Sequence, residues 1–173
     1  DYKNLWDVAN LLLQKTPSDN FTVTMKLTFS PNQKNKGERT GLVVMGRDYA
    51  GLILENTDKG LVLSQVECIK AEKGAPEETN TSVSLSQNTV YLKVRFESHL
   101  KDGKNRNMRE NLNVMCNFSY SLDGKKFKTL GKPFKAREGQ WIGAKVGTFC
   151  TRPAIVTNDG GWADVDWFRI TKK

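Results

Sequence analysis

Residues Phe21 to Phe29 alternate without a break. Phe21, Val23, Met25, Leu27 and Phe29 are apolar, and Thr22, Thr24, Lys26 and Thr28 between them are polar. A period of two puts all five apolar side chains on one face of an extended strand, whereas a helix would scatter them around its girth. A strand with one apolar face needs a second layer to cover it. The same pattern returns over Val90–Glu97, where Val90, Leu92, Val94 and Phe96 oppose Tyr91, Lys93 and Arg95. These two stretches alone point to stacked sheets with one buried face each.

The rest of the chain agrees. Gly41-Leu42-Val43-Val44, Gly51-Leu52-Ile53-Leu54 and Gly60-Leu61-Val62-Leu63 recur at near-constant spacing, with Gly46-Arg47-Asp48 and Asn56-Thr57-Asp58 as turns between them. This reads as an antiparallel meander. Leu112–Ser121, Phe127–Leu130, Ala144–Cys150 and Trp162–Ile170 complete the strands. Asp123-Gly124, between Asn113–Tyr120 and Phe127–Leu130, reads as a tight two-residue hairpin turn with both central residues at positive φ. Only Leu5–Gln14 is compatible with a helix, and nothing suggests βαβ units. The expectation is an all-β, two-sheet antiparallel sandwich forming one domain over residues 1–173. A chain of 173 residues buries about 70% of its unfolded surface, enough for a core without metal or disulfide support. Long connections are expected at Pro31–Arg39, Ala71–Glu78, Ser98–Asn111 and Arg152–Gly161. The first residue is Asp1 rather than Met, which reads as a processed form or a part of a longer polypeptide.

Several function classes are set aside. No apolar run approaches the roughly 20 residues of a membrane helix, so no membrane partner is expected. The net charge is +8. The excess lies in loops: Lys34, Lys36 and Arg39; Lys101, Lys104, Arg106 and Arg109; and Lys125, Lys126, Lys128, Lys132, Lys135 and Arg137. No nucleic-acid motif accompanies them, so they read as solvated surface and no nucleic-acid partner is expected. Cys68, Cys116 and Cys150 lie in strand-like segments and read as buried apolar thiols. His99 is the only histidine and sits in the basic loop, where it reads as an idle residue, so no Ser-His or Cys-His pair is available elsewhere. Zinc-ligand spacing and a glycine-rich phosphate loop are both missing. No catalytic residue is assigned, and no cofactor is required.

The candidates that remain are aromatic and acidic. Sugar rings stack on flat aromatic faces. Trp141 lies in the polar, glycine-containing run Arg137-Glu138-Gly139-Gln140-Trp141-Ile142-Gly143. Tyr49 lies in the turn Arg47-Asp48-Tyr49, and Trp162 follows Gly160-Gly161. These three are the candidate substrate contacts, and each could equally be structural. Asp164 and Asp166, two apart on one strand, are the best carboxylate pair. They could ligate a structural calcium or simply accept hydrogen bonds from neighbouring donors. Trp167 and Phe168 point to opposite faces, so this strand is expected to be covered on both.

Six segments occur in a telling order: Asn10-Leu11-Leu12-Leu13-Gln14-Lys15, Phe21-Thr22-Val23-Thr24, Gly41-Leu42-Val43-Val44, Tyr120-Ser121-Leu122-Asp123-Gly124, Val146-Gly147-Thr148-Phe149-Cys150 and Ala163-Asp164-Val165-Asp166-Trp167-Phe168. From Asn10 onward the chain resembles the C-terminal concanavalin A-like β-sandwich of glycoside hydrolase family 43, the β-xylosidases and α-L-arabinofuranosidases. The resemblance implies a jelly-roll sandwich whose partner is a five-bladed catalytic propeller carrying the carboxylates, with a plant-derived oligosaccharide as ligand. No propeller sequence is present, so the chain alone is not expected to hydrolyse glycosides. In the family an aromatic from a loop before the C-terminal strands reaches the propeller's pocket, and Trp141 matches that place. The basic loop Ser98–Asn111 and the long Arg152–Gly161 segment depart from the family pattern. A non-catalytic accessory role follows, the alternative being an autonomous carbohydrate-binding module. Such enzymes often act outside the cytoplasm, secreted or periplasmic, though intracellular members exist.

Overall fold

The computed structural model describes residues 2–100, 112–139, 143–153 and 158–172. Twelve strands among them form two antiparallel sheets. They are β1 (Leu11–Lys15), β2 (Phe21–Ser30), β3 (Arg39–Met45), β4 (Tyr49–Thr57), β5 (Gly60–Cys68), β6 (Glu78–Ser84), β7 (Thr89–Leu100), β8 (Leu112–Ser121), β9 (Lys128–Thr129), β10 (Phe134–Ala136), β11 (Lys145–Thr151) and β12 (Trp162–Lys172). The first sheet runs β1-β11-β3-β4-β5-β6. The second runs β10-β8-β7-β2-β12, with β9 paired to β8. The sandwich expected from the alternation is therefore present.

Between the sheets lies the main core. The inward residues of β2 are all 0–1% exposed, and Val90, Leu92, Val94 and Phe96 of β7 meet them in register. Phe21 stacks on Phe96 with ring centroids 4.1 Å apart. Leu42, Val44, Leu52 and Leu54 face them from the first sheet.

The first sheet is buried on its other face as well. Val43, Met45, Tyr49, Ile53, Val66 and Phe149 form a second cluster, capped by Leu5, Ala71 and flanking residues of the N-terminal segment. Double burial accounts for the unbroken apolar triplets of β3 and β4, where one solvated face would have produced alternation. Leu5–Gln14, the one stretch compatible with a helix in sequence, forms no α-helix. Only Leu5–Asp7 forms a 3-10 turn, with the Asn4 side chain accepting from the Trp6 N–H at 2.8 Å. Leu11–Lys15 instead pairs with Phe149–Lys145. Leucine's helix preference is worth only tenths of a kcal/mol and yields to the unpaired edge of β11.

Other expectations shift for local reasons. β6 and β10 lack apolar alternation and were not expected, because edge strands bury little. His99 lies in β7 opposite Asn113 rather than in a loop, and it is exposed. Cys68 and Cys116 are buried as expected, but Cys150 is exposed, and all three thiols are free. The Asp123-Gly124 turn is wider than a two-residue hairpin. Pairing stops at Tyr120 and Lys128, and Gly124 has φ 72° while Asp123 does not have positive φ. The Asp123 carboxylate instead accepts the Lys125 and Lys126 N–H groups at 2.8 and 2.9 Å, and Ser121 Oγ accepts from Gly124 at 3.0 Å.

Candidate functional site

Trp141 lies outside the described residues, but the segment that leads to it is fixed to the body. The turn between β3 and β4 receives it. Asp48 there is buried, and its carboxylate accepts from Arg137 Nη1 at 2.9 Å and from the Lys70 N–H at 2.7 Å. The Arg47 N–H donates to the Glu138 carbonyl at 3.1 Å. Gly46 permits this approach, because a Cβ there would sit 1.9 Å from the Arg137 carbonyl oxygen. On the far side, the Thr16 hydroxyl donates to the Ala144 carbonyl at 3.4 Å, just before β11. A cavity of about 220 Å³ opens here, lined in part by Phe96, Val114, Arg137, Glu138 and Ala144. Nothing in residue spacing signals this arm. Asp48 and Arg137 are 89 positions apart, and Arg137 looks like one more surface cation.

Tyr49 is not a sugar contact in this fold. It opens β4 rather than sitting in a turn, and it is 0% exposed. Its hydroxyl accepts the Leu5 N–H at 3.2 Å and donates to Glu77 Oε2 at 2.7 Å, and Glu77 in turn pairs with Arg39. Burial first, and then the Glu77 charge, hold the phenol far above its ordinary pKa. Both ring faces belong to the second cluster, so none is left for a ligand.

Trp162 begins β12 and is 62% exposed. The preceding Gly161 N–H donates to Glu38 Oε1 at 2.9 Å, which fixes the strand's entry. Asp164 and Asp166 are both exposed. A bulge between Val165 and Trp167 leaves Asp166 without an opposite residue on β2. Its carboxylate pairs with Lys26 Nζ at 2.6 Å. Calcium takes six to eight oxygens, and no group of three or more acidic, His or Cys side chains converges among the described residues.

The bulge also alters the reading of β12 as a strand covered on both faces. Val165 and Phe168 now face the same way, toward a cleft of about 300 Å³ between the edges of the two sheets, shared with Leu12 and Val146. Leu12 is 77% exposed and Val165 38%, so an apolar strip shows at this edge. On the outer face, Trp167 is half-buried, and Arg169 lies over its ring at 4.3 Å.

Residues 2–171 match the family described as the β-xylosidase C-terminal concanavalin A-like domain. Solved structures of similar fold include a bifunctional GH43-CE protein of Bacteroides eggerthii (23% identity, TM-score 0.74, 96% of this chain and 19% of that one). A GH43 protein of Bacillus licheniformis aligns at 20% identity and TM-score 0.68, covering 100% of this chain and 31% of the other. A GH43B from a Bacteroides ovatus xyloglucan locus aligns at 18% identity and TM-score 0.69, covering 94% and 29%. At these identities the likeness is one of fold. The chain spans less than a third of the length of each of these three proteins. A search of curated proteins returns no match. The match over nearly every residue, on a two-sheet sandwich, places the chain in the family of β-xylosidase C-terminal concanavalin A-like domains.

Proposed function

We propose that this chain is the non-catalytic accessory domain of a xylan- or arabinan-degrading glycoside hydrolase. It packs on a catalytic propeller and helps to shape that domain's sugar pocket through Trp141. Family membership supports the reading. The observation that carries it is the fixed arm before Trp141, tied down by the Asp48–Arg137 ion pair and the Arg47–Glu138 bond. A loop held at its base can present a side chain at a neighbour's pocket with little loss of entropy on ordering. The apolar strip of Leu12 and Val165 supports packing against a neighbour, since such a strip is favourably covered. Polymer-degrading work fits a secreted or periplasmic setting.

The test is the full-length enzyme carrying Trp141→Ala. Loss of an apolar wall for a bound sugar should lower kcat/KM on xylo-oligosaccharides by roughly tenfold or more, about the effect of one lost stacking contact. Wild-type kinetics in that variant would remove Trp141 from the pocket.

A further inference from the structure

The outer face of the second sheet carries a pattern that a merely solvated surface does not require. Its outward residues follow from register. Trp167 lies opposite Lys26, which lies opposite Tyr91. One step along, Arg169 lies opposite Thr24, which lies opposite Lys93. Strands sit about 4.8 Å apart, so Arg169 and Lys93 arise about 10 Å from each other, with the Thr24 hydroxyl between them. Each cation rests on a ring of its own. Arg169 lies 4.3 Å from the Trp167 ring, and Lys93 Nζ lies 3.3 Å from the centre of the Phe127 ring.

Two other cations of this face are matched to acids. Lys26 pairs with Asp166 at 2.6 Å and Arg95 with Glu97 at 2.9 Å. Among the described residues neither Arg169 nor Lys93 has a carboxylate within ion-pair distance. Lys93 is half-buried as well, and its burial holds its pKa below the usual lysine value, so an anion nearby would relieve a real cost. Beside these two cations stand two half-buried aromatic rings. Tyr91 and Trp167 have centroids 6.1 Å apart, tilted by 49°, and they flank the Lys26 stem. The loop after β8 closes one side, since Gly124 approaches the Tyr91 ring so closely that a Cβ would lie 2.9 Å from it.

We propose that this face binds an acidic glycan, its sugar ring lying against Trp167 and Tyr91 and its uronate carboxylate held between Arg169 and Lys93. Arg169 covers one face of Trp167 and Gly124 lies against Tyr91, so the C–H groups of a pyranose would meet what these rings leave exposed, and the Thr24 hydroxyl and Lys26 ammonium can bond its rim. A guanidinium and an ammonium on either side of a hydroxyl suit a planar carboxylate better than a neutral hydroxymethyl group. The site uses no residue of the Trp141 segment and stands or falls independently of it.

The test titrates the 173-residue chain with a xylo-oligosaccharide bearing one glucuronate, with its carboxyl-reduced counterpart, and with a heparin fragment as a generic polyanion. Binding of the uronate sugar is expected, at least tenfold tighter than the reduced sugar, which is about the value of one charge-assisted hydrogen bond. Arg169→Gln and Lys93→Gln should each weaken it by about the same factor while thermal unfolding stays unchanged. Quenching or a shift of tryptophan fluorescence should accompany binding and vanish in Trp167→Ala. Absence of binding, equal affinity for the reduced sugar, or unchanged affinity in Arg169→Gln would each overturn the proposal. Equal or tighter binding of heparin, sensitive to the same substitutions, would mark a polyanion surface instead and would overturn it too.

Discussion

Asp123 illustrates how one residue carries more than its turn statistics suggest. The pair Asp123-Gly124 is legible as a turn, but the carboxylate does work that a two-residue hairpin would not need. It gathers the Lys126 and Lys125 N–H groups and the Ser121 hydroxyl, and these bonds hold its pKa at about 2, below the ordinary 3.8. The folded loop thus favours the ionised form. Its contribution to stability is complete above the unfolded value and fades as pH falls from 3.8 toward 2. Asp123→Asn, which mimics the protonated acid, should lower Tm at pH 7 and lose that deficit as the pH approaches 2. A Tm gap of constant size across the range would show that ionisation is not the cause. Tyr49 makes the opposite point. The residues just before it are polar and lie in a turn, yet the ring lies in the second cluster, because Leu5 and Glu77 arrive from distant segments to satisfy its hydroxyl.

At the scale of elements, the N-terminal segment is part of the core. Leu5 is 0% exposed and seats against Tyr49, Ile53 and their neighbours on the outer face of the first sheet. Leu5→Ala removes a fully buried side chain and should cost about 2–5 kcal/mol, read from the urea midpoint at unchanged slope. Leu12→Ala, at the second position of β1 and 77% exposed, should stay within about 0.5 kcal/mol in the isolated chain. Equal losses in the two variants would mean that the segment does not seat as described. The leucine run Leu11-Leu12-Leu13 invites a helix or a strand by composition alone. Pairing with β11 decides it, and that partner lies more than 130 residues away.

For the whole molecule, the two apolar clusters are not independent. Leu42 and Val44 belong to one and Val43 and Met45 to the other, so β3 contributes to both from opposite faces. β4 does the same through Leu52 and Leu54 against Ile53. Losing either layer strips a face of the same strands. Urea unfolding should therefore be a single transition, with far-ultraviolet circular dichroism and tryptophan fluorescence superimposed. Separate midpoints for the two probes would show that the outer layer melts on its own.

The sequence alone determined the class of fold. Alternation in β2 and β7 and the spaced glycine-led runs are local consequences of side-chain polarity, and local patterns survive into the structure because the pleat enforces a period of two. Reading those runs also led to the family, since motif order is itself a property of the chain. Tertiary structure alone decided which faces are covered and therefore which aromatics are free. Tyr49 went inside and Trp162 stayed out, although both stand beside turn residues. It also decided the bulge that turns Phe168 inward and sets Trp167 over the outer face, and the register that aligns Arg169, Thr24 and Lys93. None of these follows from spacing along one strand, because each depends on which strand becomes the neighbour and on a single extra residue in the pairing.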